Sequence, residues 1–390
     1  MIRVMADNTN ALAVTLQTLD PAVWRRLEGG GFDPEHFLAL AATLGQGDAA
    51  TRRQTRNSVK GPVEPPRPGE VVKLPQEGSL DNALLRERGE AVMKSGQLAF
   101  CTMAGGMATR MGGIVKALAE VIPGHTFLQM RLAENRTASH AAGHPVPLWL
   151  MTSEATHDDI VAALEREKAP VHIAAFRQNL SLRLSPDGSL FRGDDGQPSE
   201  HATGHGDLVD ALRRSKLLDA FVESGGKYVW ITNVDNLGAS IDPVVLGQFV
   251  TSAENGIDVQ CEVCRKEGDK GGIPVHAEGK LQVLEEFRLP QGFNPSAVDV
   301  FNTNTFLVRA EPLLGQPLTW TYFEVEKMVD GRPAIQFERL LQEITAQMPS
   351  TYLEVSRDGA SSRFLPVKDF DELAKRRANI EVVARARGMV

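Results

Sequence analysis

The chain has 390 residues, 42% of them hydrophobic and 24% charged, the composition of an ordinary globular protein with room for two or three domains. Its net charge of -8 excludes a general nucleic-acid binder, which needs a basic surface, so any phosphate bound here belongs to a small molecule in a local pocket. The amino terminus breaks its apolar run at Asp7 and Asn8, unlike a signal peptide, and no 18-residue apolar stretch is present to span a bilayer. Three cysteines, Cys101, Cys261 and Cys264, are too few for a disulfide framework, so the expectation is a cytoplasmic protein with no membrane partner.

Residues 1–58 read as a helical N-terminal region. Ala11, Leu12, Val14, Leu16, Leu19, Val23, Trp24 and Leu27 recur at helical spacing, and 37–44 gives a second apolar run. Between them, Gly29 to Gly31 supply a stop, and Asp33-Pro34 a new start. Residues 59–95 form a connector, with five prolines in the twenty residues from Val59 to Gly78, followed by a short helix.

From about residue 96 the pattern becomes strand, loop, helix, repeated. Strands are expected at 98–103, 147–152, 171–176, 228–233, 257–264 and 303–308, and helices at 126–142, 156–167, 207–224 and 243–255. The 207–224 helix has Asp207 near its start, a candidate cap, and Gly225-Gly226 at its end. This alternation predicts an α/β fold: a mixed, mostly parallel sheet with helices on both faces and ligands beyond the carboxyl ends of the strands. From about 312 onward the chain reads as helical again. Cys261 and Cys264 have C-x-x-C spacing, but alternation along a strand predicts opposite faces, which argues against a zinc or redox pair. The basic residues of "AKRRANIEVVARAR" read as a solvated helix face.

The loop after the first strand, in "LAFCTMAGGMATRMGGIVKAL", is rich in glycine and carries Arg110 and Lys116. Glycines let backbone N–H groups approach phosphate oxygens, and the cations supply charge. Neither common phosphate-loop template fits, because Lys116 follows Gly112 by four residues and G-x-G-x-x-G is absent. The loop does resemble the signature of nucleotidyltransferases that make nucleotide sugars, roughly GG-x-G-T-x-x-G-x-x-x-P-K. Gly105, Gly106, Thr109 and Gly112 fall in register and Lys116, one position nearer Gly112, stands for the lysine, with Ala108 and Val115 in place of the usual glycine and proline.

Six further segments resemble those of UTP:glucose-1-phosphate uridylyltransferases (UDP-glucose pyrophosphorylases), in the same order. They are "HATGHGDLVDAL", "YVWITNVDNLGASID", "GDKGGIPVHAEGKLQVLEEFRLP", "DVFNTNTFLV", "AIQFERLLQEI" and "SRFLPVKDFDEL". Together the seven cover roughly 98–375, whereas each alone is weak. The resemblance implies a GT-A-like, Rossmann-like nucleotidyltransferase core at 96–311, with 312–390 completing the active site. Eukaryotic members continue past F-L-P-V-K into a C-terminal β-helix domain. This chain ends 22 residues after Lys368, so that domain is expected to be absent and its oligomer mode does not carry over.

The implied reaction is attack of a sugar 1-phosphate on the α-phosphorus of UTP, which needs positioning and cations more than covalent help. By resemblance, Lys116, Lys368 and Arg110 are catalytic cations. Gly105, Gly106, Thr109, Gln178, Gly204 and Asp235 bind the nucleotide, Asp235 also holding Mg²⁺. His205, Asn233, Lys270, Glu285 and Asn302 contact the sugar phosphate. The favoured substrates are UTP and glucose 1-phosphate, with an N-acetylhexosamine 1-phosphate or another sugar as the alternative. A UDP-sugar glycosyltransferase is a reading of a different class, but it predicts a D-x-D pair, and position 233 is Asn. A non-catalytic nucleotide-sugar-binding protein would not require both Lys116 and Lys368. Val115, in place of proline, is expected to loosen a φ-restricted position just before Lys116.

Overall fold

The computed structural model describes residues 2–45, 47–108 and 112–390. Its frame is an eight-stranded sheet. In chain order the strands are β1 (Val71–Lys73), β2 (Leu98–Met103), β3 (Leu148–Thr152), β4 (Ile173–Arg177), β5 (Tyr228–Asn233), β6 (Val259–Arg265), β7 (Val300–Arg309) and β8 (Ser350–Glu354). Across the sheet the order is β1-β8-β6-β7-β5-β2-β3-β4. All neighbours run parallel except β7, which is antiparallel to both β5 and β6. The expected mixed, mostly parallel sheet is therefore present.

Alternation along the central strands explains why both faces are covered. In β2, Leu98 and Phe100 face one core while Ala99, Cys101 and Met103 face the other; Trp149 and Met151 of β3 and Val229 and Ile231 of β5 join the second set. Full burial of one such side chain, Phe100 for instance, stabilises by about 1.5–3 kcal/mol. On the first face lie α5 (Leu80–Lys94), α6 (Phe127–Ala142), α7 (His157–Arg166), α10 (Pro243–Glu254) and α11 (Phe370–Ala386). On the second lie α8 (Leu208–Arg214), α9 (Leu217–Glu223) and a small sheet of Val63–Glu64, Ile273–Ala277 and Lys280–Leu284.

The N-terminal region folds as α1 (Ile2–Gln17), α2 (Pro21–Gly29), α3 (Pro34–Thr43) and α4 (Ala49–Asn57). Asp33 caps α3 by accepting from the His36 N–H, with Pro34 at the first turn, as the sequence predicts. Leu16, Leu27 and Phe37 pack on Leu180, Leu182, Leu184, Ile335 and Phe337 in a third core. Among the described residues, no helix is long and apolar enough to cross a membrane.

The structure corrects three expectations. First, the region after 312 is not uniformly helical. Phe323–Val329 and Arg332–Glu338 form a hairpin, and β8 joins the central sheet. Asp330 and Gly331 turn the hairpin with φ of 50° and 71°, the positive-φ pair of a tight hairpin turn. Second, the 207–224 helix breaks at Lys216, whose φ is 63°, into α8 and α9. Third, Asp207 caps nothing: its carboxylate is buried against Arg339 and Thr203. Cys261 and Cys264 are both buried on β6, which runs without interruption while the facing β7 carries two extra residues, Thr303 and Asn304, opposite the step from Glu262 to Val263. Burial raises both thiols, Cys264 to about 11, so neither is a ready thiolate.

Candidate active site

The parallel strands β2, β3, β4 and β5 end at one edge of the sheet, where their following loops converge. Because β7 runs antiparallel, it brings its first residues, including Asn302 and Asn304, to the same edge. The result is an open cleft of about 540 Å³.

Every described candidate from the sequence except Glu285 lines this cleft. Gly105, Gly106 and Lys116 come from the loop after β2, Gln178 from the end of β4, and Gly204 and His205 from the turn before α8. Asn233 and Asp235 follow β5; Lys270, Asn302 and Lys368 complete the wall. Thr109 and Arg110 lie outside the described residues. Glu285 is turned instead onto the Gln342 amide, at 2.6 Å. Burial, then the neighbouring Glu286, pushes its carboxyl above the ordinary glutamate range.

The glycine loop folds back as a short hairpin, Met107–Ala108 against Ile114–Val115, and the Lys116 N–H donates to Gly106 O at 3.1 Å. Val115 sits at φ -62°, the angle a proline ring would impose, and is buried. The strand pairing thus holds Val115 at the angle that the missing proline would have imposed. Lys116 points its ammonium at the carboxylate of Asp235, and the two form an ion pair inside the cleft. Lys270 and Lys368 are exposed and have no carboxylate partner among the described residues.

His205 is held by its backbone turn and by one hydrogen bond. Gly204 has φ 92°, and a Cβ there would come within 2.5 Å of Arg339 O, so the turn requires glycine. The His205 Nδ1 accepts the Leu341 N–H at 3.1 Å, leaving Nε2 to carry the proton. Burial lowers its pKa to about 4, so near neutral pH it offers an uncharged N–H. Beneath it, Asp207 and Arg339 pair at 2.6 Å, and the guanidinium also lies over the rings of Trp320 and Tyr322.

Cleft residues that the sequence did not point to include Glu338, Asp269, Asn304, Phe301 and Phe364. All lie inside the segments that carry the family resemblance, so the signal was the neighbouring motif and not the residue itself. Asn304, at φ 59°, donates from Nδ2 to Asn233 Oδ1 at 3.1 Å, while its own Oδ1 is buried with no partner among the described residues. Asn302 Oδ1 accepts from the Asn304 N–H at 2.8 Å and from the Cys261 thiol at 3.2 Å, which leaves the Asn302 amide nitrogen free as a donor. Asp269 is paired with Arg357 at 2.6 Å, and Arg357 also stacks over Phe301 and Phe364. That contact ties the Lys270 segment to the Lys368 segment.

Residues 51–386 match the family model described as UTP--glucose-1-phosphate uridylyltransferase. The UTP--glucose-1-phosphate uridylyltransferase of Hordeum vulgare is 29% identical over 295 residues, 71% of this chain and 61% of that protein. That of Pyrus pyrifolia is 31% identical over 293 residues, again 71% and 61%. The chain thus spans about 61% of the length of these curated relatives. Among solved structures, a UDP-glucose phosphorylase from Trypanosoma brucei superimposes with a TM-score of 0.69 at 22% identity, covering 91% of this chain and 77% of that one. A uridine diphosphate N-acetylglucosamine pyrophosphorylase from the same organism gives 0.69 at 19%, covering 91% and 83%. At these identities the likeness is one of fold.

Proposed function

The chain belongs to the UTP--glucose-1-phosphate uridylyltransferase family, and on that premise we propose that it transfers a uridylyl group from UTP to glucose 1-phosphate. A phosphate oxygen of the sugar phosphate attacks the α-phosphorus of UTP, the bond from that phosphorus to the bridging β-phosphate oxygen breaks, and pyrophosphate leaves. The observation that carries this reading is the convergence of Lys116, Lys270, Lys368, Asp235 and His205 on one cleft from segments spread along the chain.

Each group has a task that its surroundings favour. The backbone of Gly105 and Gly106 lies open to a nucleotide, with Gln178 beside it: a Cβ on Gly105 would fall 2.5 Å from Gln178 Oε1. Lys116 and Lys368 offset charge that builds on the phosphate oxygens as the bond breaks. His205 donates a neutral N–H, and the Asn302 amide nitrogen suits a sugar hydroxyl.

This chemistry is generally metal-assisted, and we assign Mg²⁺ to Asp235. Among the described residues no group of three or more His, Cys, Asp or Glu side chains could hold a metal by itself. Magnesium needs only one or two carboxylates when substrate phosphates supply other oxygens, so a single Asp235 fits. That carboxylate already accepts a cation, the Lys116 ammonium. When bound, Mg²⁺ would supply charge neutralisation at the phosphates. A cytoplasmic location is part of the proposal, and three free, buried cysteines suit a reducing compartment.

The test is release of pyrophosphate from UTP and Mg²⁺ with a panel of sugar 1-phosphates. Glucose 1-phosphate is expected to react best. Preference for N-acetylglucosamine 1-phosphate would replace the sugar assignment, and no release from any sugar would refute uridylyl transfer.

A further inference from the structure

Asp235 and Lys368 sit on separate segments, "NVDNLG" and "SRFLPVK", yet they line one cleft. Next to Asp235 in the first segment is Asn236, 1% exposed and outside the cleft wall. Its Nδ2 donates to Arg363 O at 3.1 Å, and its Oδ1 accepts the Leu365 N–H at 2.8 Å. One side-chain amide thus pairs with the second segment as a neighbouring strand would. Two residues on, Gly238 lets the backbones touch: a Cβ there would lie 2.6 Å from the Arg363 carbonyl carbon.

Three arginines, two of them buried, hold the outer sides of this junction. Arg131 of α6 donates to Asn233 O at 3.3 Å, Asn236 O at 2.5 Å and Ala239 O at 3.1 Å, with Glu134 as its counter-charge. Arg363 reaches back to Ser240 O at 3.0 Å and pairs with Glu262. Arg387, the residue just past α11, bonds Gly238 O and, at 2.6 Å, Ser362 O. Lys368 has no such anchor for its own side chain, so its place opposite Asp235 depends on how the backbone of 363–367 is held.

We propose that Asn236 is a positioning residue that sets Lys368 against the Asp235 loop, an inference resting on the reading of this cleft as a uridylyl-transfer site. A displacement near 1 Å at a reacting centre costs about 100-fold, so Asn236→Ala is expected to lower kcat by about 10- to 100-fold. KM for UTP and the affinity of the protein for Mn²⁺, read by electron paramagnetic resonance, are expected to stay near wild type.

The deciding measurement is a double-mutant cycle with Lys368→Ala. If Asn236 acts through Lys368, the double variant turns over within about twofold of Lys368→Ala alone. Losses that multiply would overturn the proposal, as would near-normal kcat in Asn236→Ala or a loss of Mn²⁺ affinity in step with kcat. If Asn236→Ala does not fold, Asn236→Ser is carried through the same cycle. A wild-type protein that releases no pyrophosphate overturns both this proposal and the activity reading. An active wild type with multiplying losses overturns the positioning role alone.

Discussion

Acid should destabilise this protein through His201, and the effect can be isolated. His201 lies on Glu200–Ala202, paired with Leu180–Leu182, and is 5% exposed. Its Nδ1 bonds Ala202 O at 2.9 Å, and its Nε2 is buried with no partner among the described residues. Burial, far more than the nearby Arg183 charge, lowers the pKa from 6.5 to about 4, against the Ala202 and Leu182 carbonyls, which favour the imidazolium. Because the folded-state value is depressed, the unfolded chain binds the proton more tightly. The contribution of His201 is therefore complete above 6.5 and is lost as pH falls towards 4. At about 1.36 kcal/mol per unit, roughly 2 kcal/mol is gone by about pH 5 and about 3 kcal/mol in the limit. Urea unfolding followed by tryptophan fluorescence at about pH 7.5 and about pH 5 would measure it in wild type and His201→Gln. His205 and the carboxylates titrate in both proteins and cancel. The variant should lose about 2 kcal/mol less on acidification; equal losses, within about 0.5 kcal/mol, would refute the argument.

Other outcomes follow from the site and its supports. Lys116→Ala should slow pyrophosphate release by about 100- to 1,000-fold, as loss of a group that stabilises transition-state charge does. The same variant frees the Asp235 carboxylate and should bind Mn²⁺ more tightly than wild type in a direct titration. Arg339→Met leaves Asp207 buried and unpaired, and should cost about 3–5 kcal/mol in urea unfolding. Adding Asp207→Asn should recover part of that loss, since the pair is nearly inaccessible to solvent. Chelation by EDTA should abolish pyrophosphate release, and added Mg²⁺ should restore it.

Much of the frame was legible in the sequence because it is written locally. Strands buried on both faces carry near-continuous apolar runs, so 98–103 and 228–233 could be recognised without their neighbours. The start of α3 at Asp33-Pro34 was equally local, since a cap satisfies groups within its own turn. The cleft residues were legible only through seven segments read together; the Gly105–Lys116 loop, Asp235 and Lys368 lie too far apart for any local pattern to join them. Even local signals could mislead. The Asp330-Gly331 hairpin was passed over, and the Asn304 kink that breaks the β7 register has no apolar pattern to announce it.

What the sequence by itself determined is which residues are apolar, cationic or able to turn, and hence the α/β class and the set of candidate groups. Only the tertiary structure decided their partners. It placed Glu285 on Gln342 and outside the cleft wall, joined Lys116 to Asp235, and bonded Asn236 to a distant segment. The reason is physical. Periodicity records which side of an element faces the core, whereas an ion pair or an amide bridge is chosen by the geometry of chains that meet after folding.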